Sequence, residues 1–139
     1  MSQAITEVMT PDPVTVAATA TVAEAARLMR DENIGNVVVT EDYQVCGIVT
    51  DRDITIRAVA TGQDPVRTKV RDICSGDLTY LGVDDTVEDA IRTMREKALR
   101  RVPVVQDGQA VGIVSLGDLA VERDESSVLA YISAAPGNP

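Results

Sequence analysis

Histidine, phenylalanine and tryptophan are absent from the sequence, and its 139 residues include only two cysteines and three tyrosines. Without histidine, the side chain that most often serves as a general base near neutral pH is missing. Cys46 and Cys74 alone cannot complete a four-ligand zinc site. Basic charge is also short. Thirteen Lys and Arg face 22 Asp and Glu, for a net charge of −9. Such a surface repels nucleic acid and anionic membranes alike, and its plain consequence is solubility. No run approaches the roughly 20 apolar residues of a membrane span. Met1 to Val8 show neither the basic start nor the apolar stretch of a secretory leader. A Walker loop, a dinucleotide fingerprint and a Gly-x-Ser-x-Gly elbow are missing too. Carboxylates are plentiful, but none is singled out as a catalytic pair. The expectation is no enzyme, no metal, no cofactor and a cytoplasmic location.

What is present is a large apolar fraction, 45% of the chain. With no large aromatics, the core has to be built from Val, Ile, Leu, Ala and Met. Valine dominates the short apolar runs, and β-branched residues suit strands. Cys46 lies within one such run and reads as a small core residue. Cys74 stands where the other half of the chain carries Met9. Nothing demands a disulfide, which fits a reducing cytosol.

A repeat organises the chain. Sliding the sequence by 65 residues places Ile5–Ile54 on Val70–Leu119 without a gap, and 15 of 50 columns are identical. Thr21-Val22 falls on Thr86-Val87, Gly47-Ile48-Val49 on Gly112-Ile113-Val114, and Asp53 on Asp118. Each copy opens with a short extended piece, Pro13 to Val16 or Leu78 to Leu81. A helix follows behind a capping box, Thr21 with Glu24, or its variant Thr86 with Asp89. Val22, Ala25, Ala26 and Met29 keep helical spacing behind the first cap, as do Val87, Ala90, Ile91 and Met94 behind the second. Two strands come next, and Asp107-Gly108 is a hairpin signal for the second pair. A further helix starts near Asp51 and near Leu116. The expected class is α+β: two β-α-β-β-α units packed sheet to sheet, since half a unit cannot cover its own sheet. The expected division is 1–60, a linker at 61–69 around Gly62 and Pro65, 70–125, and a last helix with a frayed tail at 126–139. In that tail Val128, Leu129, Tyr131 and Ile132 have near-helical spacing, which suggests a homodimer contact.

The informative segments run from Gly47 to Asp53 and from Gly112 to Asp118. In each, a hydroxyl, Thr50 or Ser115, ends a strand, and an Asp follows three residues later at a helix start. Such an Asp can cap the helix. It can also accept hydrogen bonds from neighbouring ribose hydroxyls, while the free helix amides receive sugar or phosphate oxygens. The residues alone leave both readings open.

The repeated unit resembles the CBS domain, named after cystathionine β-synthase. The resemblance is carried by Val8-Met9-Thr10, Thr21-Val22-x-Glu24-Ala25, Val37-Val38-Val39 and Gly47 to Ile54. In the second copy it rests on Arg101 to Val105 and on Gly112 to Leu119. It implies a tandem pair with pseudo-two-fold symmetry and two clefts between the copies, where members bind AMP, ADP, ATP or S-adenosylmethionine. It places Asp53 and Asp118 on the ribose, and Thr50 and Ser115 on ribose or phosphate. Arg100 and Arg101 fall on the phosphate position, with Arg52 and Arg71 as helpers. The first copy departs from this basic pattern, carrying Gly35 and Asn36. Adjacent strand residues point to opposite faces, so one of the two arginines is expected to reach a ligand. A solvated strand edge is the plain alternative for the pair. Adenine is assigned to Val14-Thr15 and Thr79-Tyr80, where ordinary packing is the alternative. The expected function is a regulatory module that senses adenine nucleotides and signals to a separate effector protein. An empty dimerisation scaffold and a sensor of the S-adenosylmethionine type are the alternatives.

Overall fold

The computed structural model describes residues 3–74 and 78–123, and the expected dimer helix in the tail lies outside them. The elements in chain order are β1 (Thr10–Pro11), β2 (Thr15–Ala17), α1 (Val22–Glu32), β3 (Asn36–Glu41), β4 (Gln44–Thr50), α2 (Asp51–Asp53), β5 (Leu81–Gly82), α3 (Val87–Lys97), β6 (Arg101–Gln106), β7 (Gln109–Ser115) and α4 (Leu116–Arg123). Short 3-10 turns occupy Ile5–Glu7 and Val70–Asp72, and a π-helix at Ile54–Val59 continues α2. Mixed strands and helices in this order are the α+β fold read from the repeat. Among the described residues no helix is long and apolar enough to cross a membrane.

The chain forms two compact units. Among the described residues, one holds those from Val14 to Leu78; the other joins those up to Pro13 with those from Thr79 to Arg123. The β2–β4 unit has the sheet order β2-β3-β4, with β2 parallel and β4 antiparallel to β3. The other has the order β1-β7-β6-β5, in which β5 is parallel to β6 and β7 antiparallel to it. Each unit has its own core. Val22, Ala25 and Met29 of α1 pack on Val37, Val39 and Val49. Val87, Ala90 and Met94 of α3 pack on Val102, Val104 and Val114. Six of the eight helix positions expected from the spacing are buried; Ile91 is half-buried against its core, and Ala26 is exposed because it falls at the edge of the stripe.

The compact units are not the sequence repeats, because the opening segments are exchanged. Ile5 is fully buried in the core built on α3, and Val70 is fully buried in the core built on α1. The backbone contacts mirror each other 65 residues apart. Ile5 N–H donates to the Asp85 carbonyl (2.9 Å), and Val70 N–H to that of Ala20 (2.8 Å). Val87 N–H reaches the Gln3 carbonyl (2.9 Å), and Val22 N–H that of Thr68 (2.9 Å). Gly112 is explained by the same exchange. A Cβ there would lie 3.0 Å from the Thr10 carbonyl and would collide with the Met9 side chain. The invariance of this glycine between the copies therefore has a packing cause on the Met9 side.

Local chemistry makes the copies differ. In the β2–β4 unit, Val38 N–H donates to the Val14 carbonyl at 2.9 Å. Its counterpart is Pro103, which has no N–H to give. The parallel pairing accordingly starts at Leu81 rather than at Tyr80. The caps differ too. Thr86 and Asp89 close a full capping box, whereas the cap at Thr21 is the hydroxyl accepting from Glu24 N–H. The reciprocal carboxylate contact expected of Glu24 is not part of that cap.

Asp89 titrates below the ordinary carboxylate range, chiefly because the Thr86 backbone N–H bonds its charged form, with help from the Thr86 hydroxyl and Arg92. A lowered folded pKa gives stability that is present above the unfolded value and lost as pH falls through the folded one. Urea midpoints are therefore expected to fall below about pH 4, and Asp89→Asn to flatten that acid limb. An unchanged limb would remove Asp89 as a contributor.

Candidate functional site

Each unit carries one strand-to-helix junction with a hydroxyl and a carboxylate. β4 ends at Thr50, whose hydroxyl accepts from Asp53 N–H (3.0 Å), while Asp53 Oδ2 accepts from Thr50 N–H (2.9 Å). β7 ends at Ser115, whose hydroxyl accepts from Asp118 N–H (3.0 Å), while Asp118 Oδ2 accepts from Ser115 N–H (2.9 Å). The capping alternative is thus realised at both positions. It cannot by itself mark a ligand site, because Thr86 and Asp89 form the same box at 2.9 and 3.2 Å.

The boxes use only one oxygen of each carboxylate. Asp53 Oδ1 lies 3.8 Å from Arg57 Nε, a long contact at a side chain 23% exposed. Arg57 is also held by the Ile73 carbonyl (3.1 Å). Among the described residues Asp118 Oδ1 has no hydrogen-bond partner, and Asp118 is half-buried. A half-buried carboxylate oxygen at a helix start can accept from a hydroxyl pair.

The cationic residues are placed by strand register. Arg101 pairs with Ser115 across β6 and β7. Directly opposed residues in an antiparallel pair share a face, so Arg101 shares the face of the Ser115 hydroxyl. Arg100 precedes the strand, is exposed, and gives its carbonyl to Leu116 N–H (2.8 Å). In the other unit Asn36 pairs with Thr50, and the Gly35 carbonyl receives Asp51 N–H (2.9 Å). A Cβ at Gly35 would stand 3.0 Å from Asp51 Oδ2, so the Asp51 carboxylate lies over Gly35. Arg52 is exposed on the first turn of α2, its N–H bonded to Asp51 Oδ1 (2.8 Å). Arg71 is exposed after Val70. Sequence reasoning missed Asp51 and Arg57, although each stands within four residues of Asp53.

The adenine assignments divide. Val14 packs against the β2–β4 core, as ordinary packing requires, and Thr15 is exposed on β2. Thr79 is half-buried and Tyr80 is 55% exposed, both outside β5. A polar cleft of about 480 Å³, lined by Arg57, Gln63, Arg67, Thr68 and Asp72 among others, does not include Thr50 or Asp53.

Both cysteines are free and half-buried against the β2–β4 core. Burial pushes both thiols up, and for Cys46 the neighbouring Cys74 adds to it. That disfavours the reactive thiolate. Among the described residues no group of three or more His, Cys, Asp or Glu is arranged to hold a metal ion.

The CBS domain family model matches residues 5–59 and 70–125. A curated relative, the CBS domain-containing protein YhcV of Bacillus subtilis, is 39% identical over 119 residues, which is 86% of this chain and 84% of the relative. The crystal structure of Hypoxic Response Protein I with two coordinated zinc ions superposes with a TM-score of 0.78 at 29% identity, covering 86% of this chain and 98% of the other. The CBS domain pair of protein MJ0100, in complex with 5′-methylthioadenosine and S-adenosyl-L-methionine, gives a TM-score of 0.81 at 22% identity over 91% and 100% of the two chains. That last likeness is one of fold.

Proposed function

Since the chain belongs to the CBS domain family, as a tandem pair and hence a regulatory module, we propose that it binds adenosine-containing ligands and relays their level to a separate effector protein. The observation that carries this reading is the duplicated junction of Thr50 with Asp53 and Ser115 with Asp118, each leaving one carboxylate oxygen outside its capping box. Asp53 and Asp118 take the ribose hydroxyls. The Thr50 and Ser115 hydroxyls, which accept in their capping boxes, donate their O–H to ribose or phosphate oxygens. Arg101 takes a phosphate, with Arg100 next to it in the chain, and Arg52 stands at the other junction. Adenine lies by Thr79 and Tyr80 in one unit and by Val14 and Thr15 in the other. The Thr79 side is favoured, because Pro103 leaves the Thr79 carbonyl without the ladder donor that Val14 receives. Ligand bound to the folded chain stabilises the arrangement it fits, and that shift is the signal.

A specific observation favours the scaffold as second reading: Thr86 and Asp89 build an identical box, so capping alone accounts for the geometry. Thermal unfolding with adenosine, AMP and ATP separates the two. A nucleotide at a hundred times its Kd adds about 2.7 kcal/mol, which raises the midpoint by on the order of 5–10 °C in a chain of this size. Midpoints unmoved by all three compounds would leave the scaffold.

A further inference from the structure

The two junctions have the same backbone and opposite electrostatics. Asp51 N–H to the Gly35 carbonyl (2.9 Å) and Leu116 N–H to the Arg100 carbonyl (2.8 Å) are the same bond in the two copies. The pairs Asn36 with Thr50 and Arg101 with Ser115 hold the same register. Residues at matching places can therefore be compared directly. At the β7 junction they are Arg100, Arg101, Leu116 and Gly117, with a formal charge of +2. At the β4 junction they are Gly35, Asn36, Asp51 and Arg52, with a formal charge of zero. The arrangement sharpens the contrast. Arg101 shares the face of the Ser115 hydroxyl, whereas the Asp51 carboxylate covers the Gly35 backbone at the corresponding corner. Arg57, the other cation near Asp53, is already engaged with the Ile73 carbonyl (3.1 Å).

Resting on the nucleoside reading above, we infer that the two junctions take different classes of adenosine ligand: the Ser115–Asp118 junction a phosphate-bearing one, and the Thr50–Asp53 junction an adenosine derivative without phosphate. A phosphate approaching the β7 junction meets the Arg101 guanidinium, with the Arg100 charge one residue away, and the start of an eight-residue helix. At the β4 junction it meets the Asp51 carboxylate, and like charges at contact distance oppose binding. The helix start offers little there, because its first three amides are already bonded to the Gly35 carbonyl, Asp51 Oδ1 and the Thr50 hydroxyl. A ribose without phosphate avoids the repulsion and still finds Asp53.

AMP and adenosine differ only by the phosphate and are the probes. Calorimetry on the full chain is expected to show AMP binding at one site per chain. Adenosine should bind at two, of which one remains available at saturating AMP. Arg101→Ala should weaken AMP by about tenfold or more, the scale of one charge-assisted contact, and leave adenosine unchanged. Combining Gly35→Arg, Asn36→Arg and Asp51→Leu transplants the β7 charges and should create a second AMP site. Two equivalent AMP sites in the unaltered chain would overturn the inference while leaving the nucleoside reading intact. Equal losses of AMP and adenosine in Arg101→Ala would also overturn it. A chain that binds neither compound overturns the nucleoside reading and this inference together.

Discussion

Ile5→Ala is expected to destabilise the protein by about 3 kcal/mol and to loosen the second repeat rather than the first, to which Ile5 belongs in sequence. Ile5 has no exposed surface and sits among Leu81, Val87, Val102 and Val114. Its backbone N–H ties the same segment to Asp85. Truncation removes three buried carbons and leaves a cavity under the start of α3. The mirror change, Val70→Ala, should cost about 2 kcal/mol and loosen the β2–β4 unit, where Val70 packs with Val22 and Val49. Urea unfolding gives the magnitudes, and hydrogen exchange gives the location. Ile5→Ala should speed exchange in β6 and β7 ahead of β3 and β4, and Val70→Ala should do the reverse. Protection lost first within each residue's own repeat would contradict the exchange of opening segments.

That exchange was not legible in the sequence. A repeat of 65 residues states that two segments are alike, but not which copy each one packs on. Three-residue turns such as Ile5–Glu7 carry no periodicity to read. The longer elements were legible for physical reasons. Valine runs built β3, β4, β6 and β7, threonines started α1 and α3, and helical spacing named their buried faces. The strand effect of Pro103 follows from its missing N–H but shows only when the partner strand is known. At the junctions, hydroxyl and carboxylate spacing paired Thr50 with Asp53 and Ser115 with Asp118, and each pair closes a capping box. What spacing could not convey was Asp51 over Gly35, a contact between a loop and a helix start.

The second large effect concerns Asp118, where capping and ligand binding can be pulled apart. Asp118→Ala removes the acceptor of Ser115 N–H, at a cost of about 1 kcal/mol. It also removes the proposed ribose contact. Hydrogen bonds to a charged group contribute about 1.5–3 kcal/mol each, so adenosine affinity at that junction should fall roughly a hundredfold or more. Asp118→Asn keeps one oxygen for Ser115 N–H but loses the charge and the second acceptor. Stability should change little, while affinity should still fall on the order of tenfold to a hundredfold. Asp89→Asn is the control, because its box has the same geometry without an assigned ligand. It should leave adenosine binding untouched. If Asp118→Asn and Asp89→Asn behave alike in a binding titration, Asp118 is a helix cap and nothing more.

The central claim is that Asp53 and Asp118 grip a ribose with the oxygens their capping boxes leave over. The measurement that meets it head-on is an adenosine titration of the unaltered chain beside the Asp53→Asn, Asp118→Asn double variant. The account predicts saturable binding to the first and binding weaker by roughly tenfold to a hundredfold at both junctions of the second, with both proteins folded and melting close together. Equal affinity for the two proteins would contradict it.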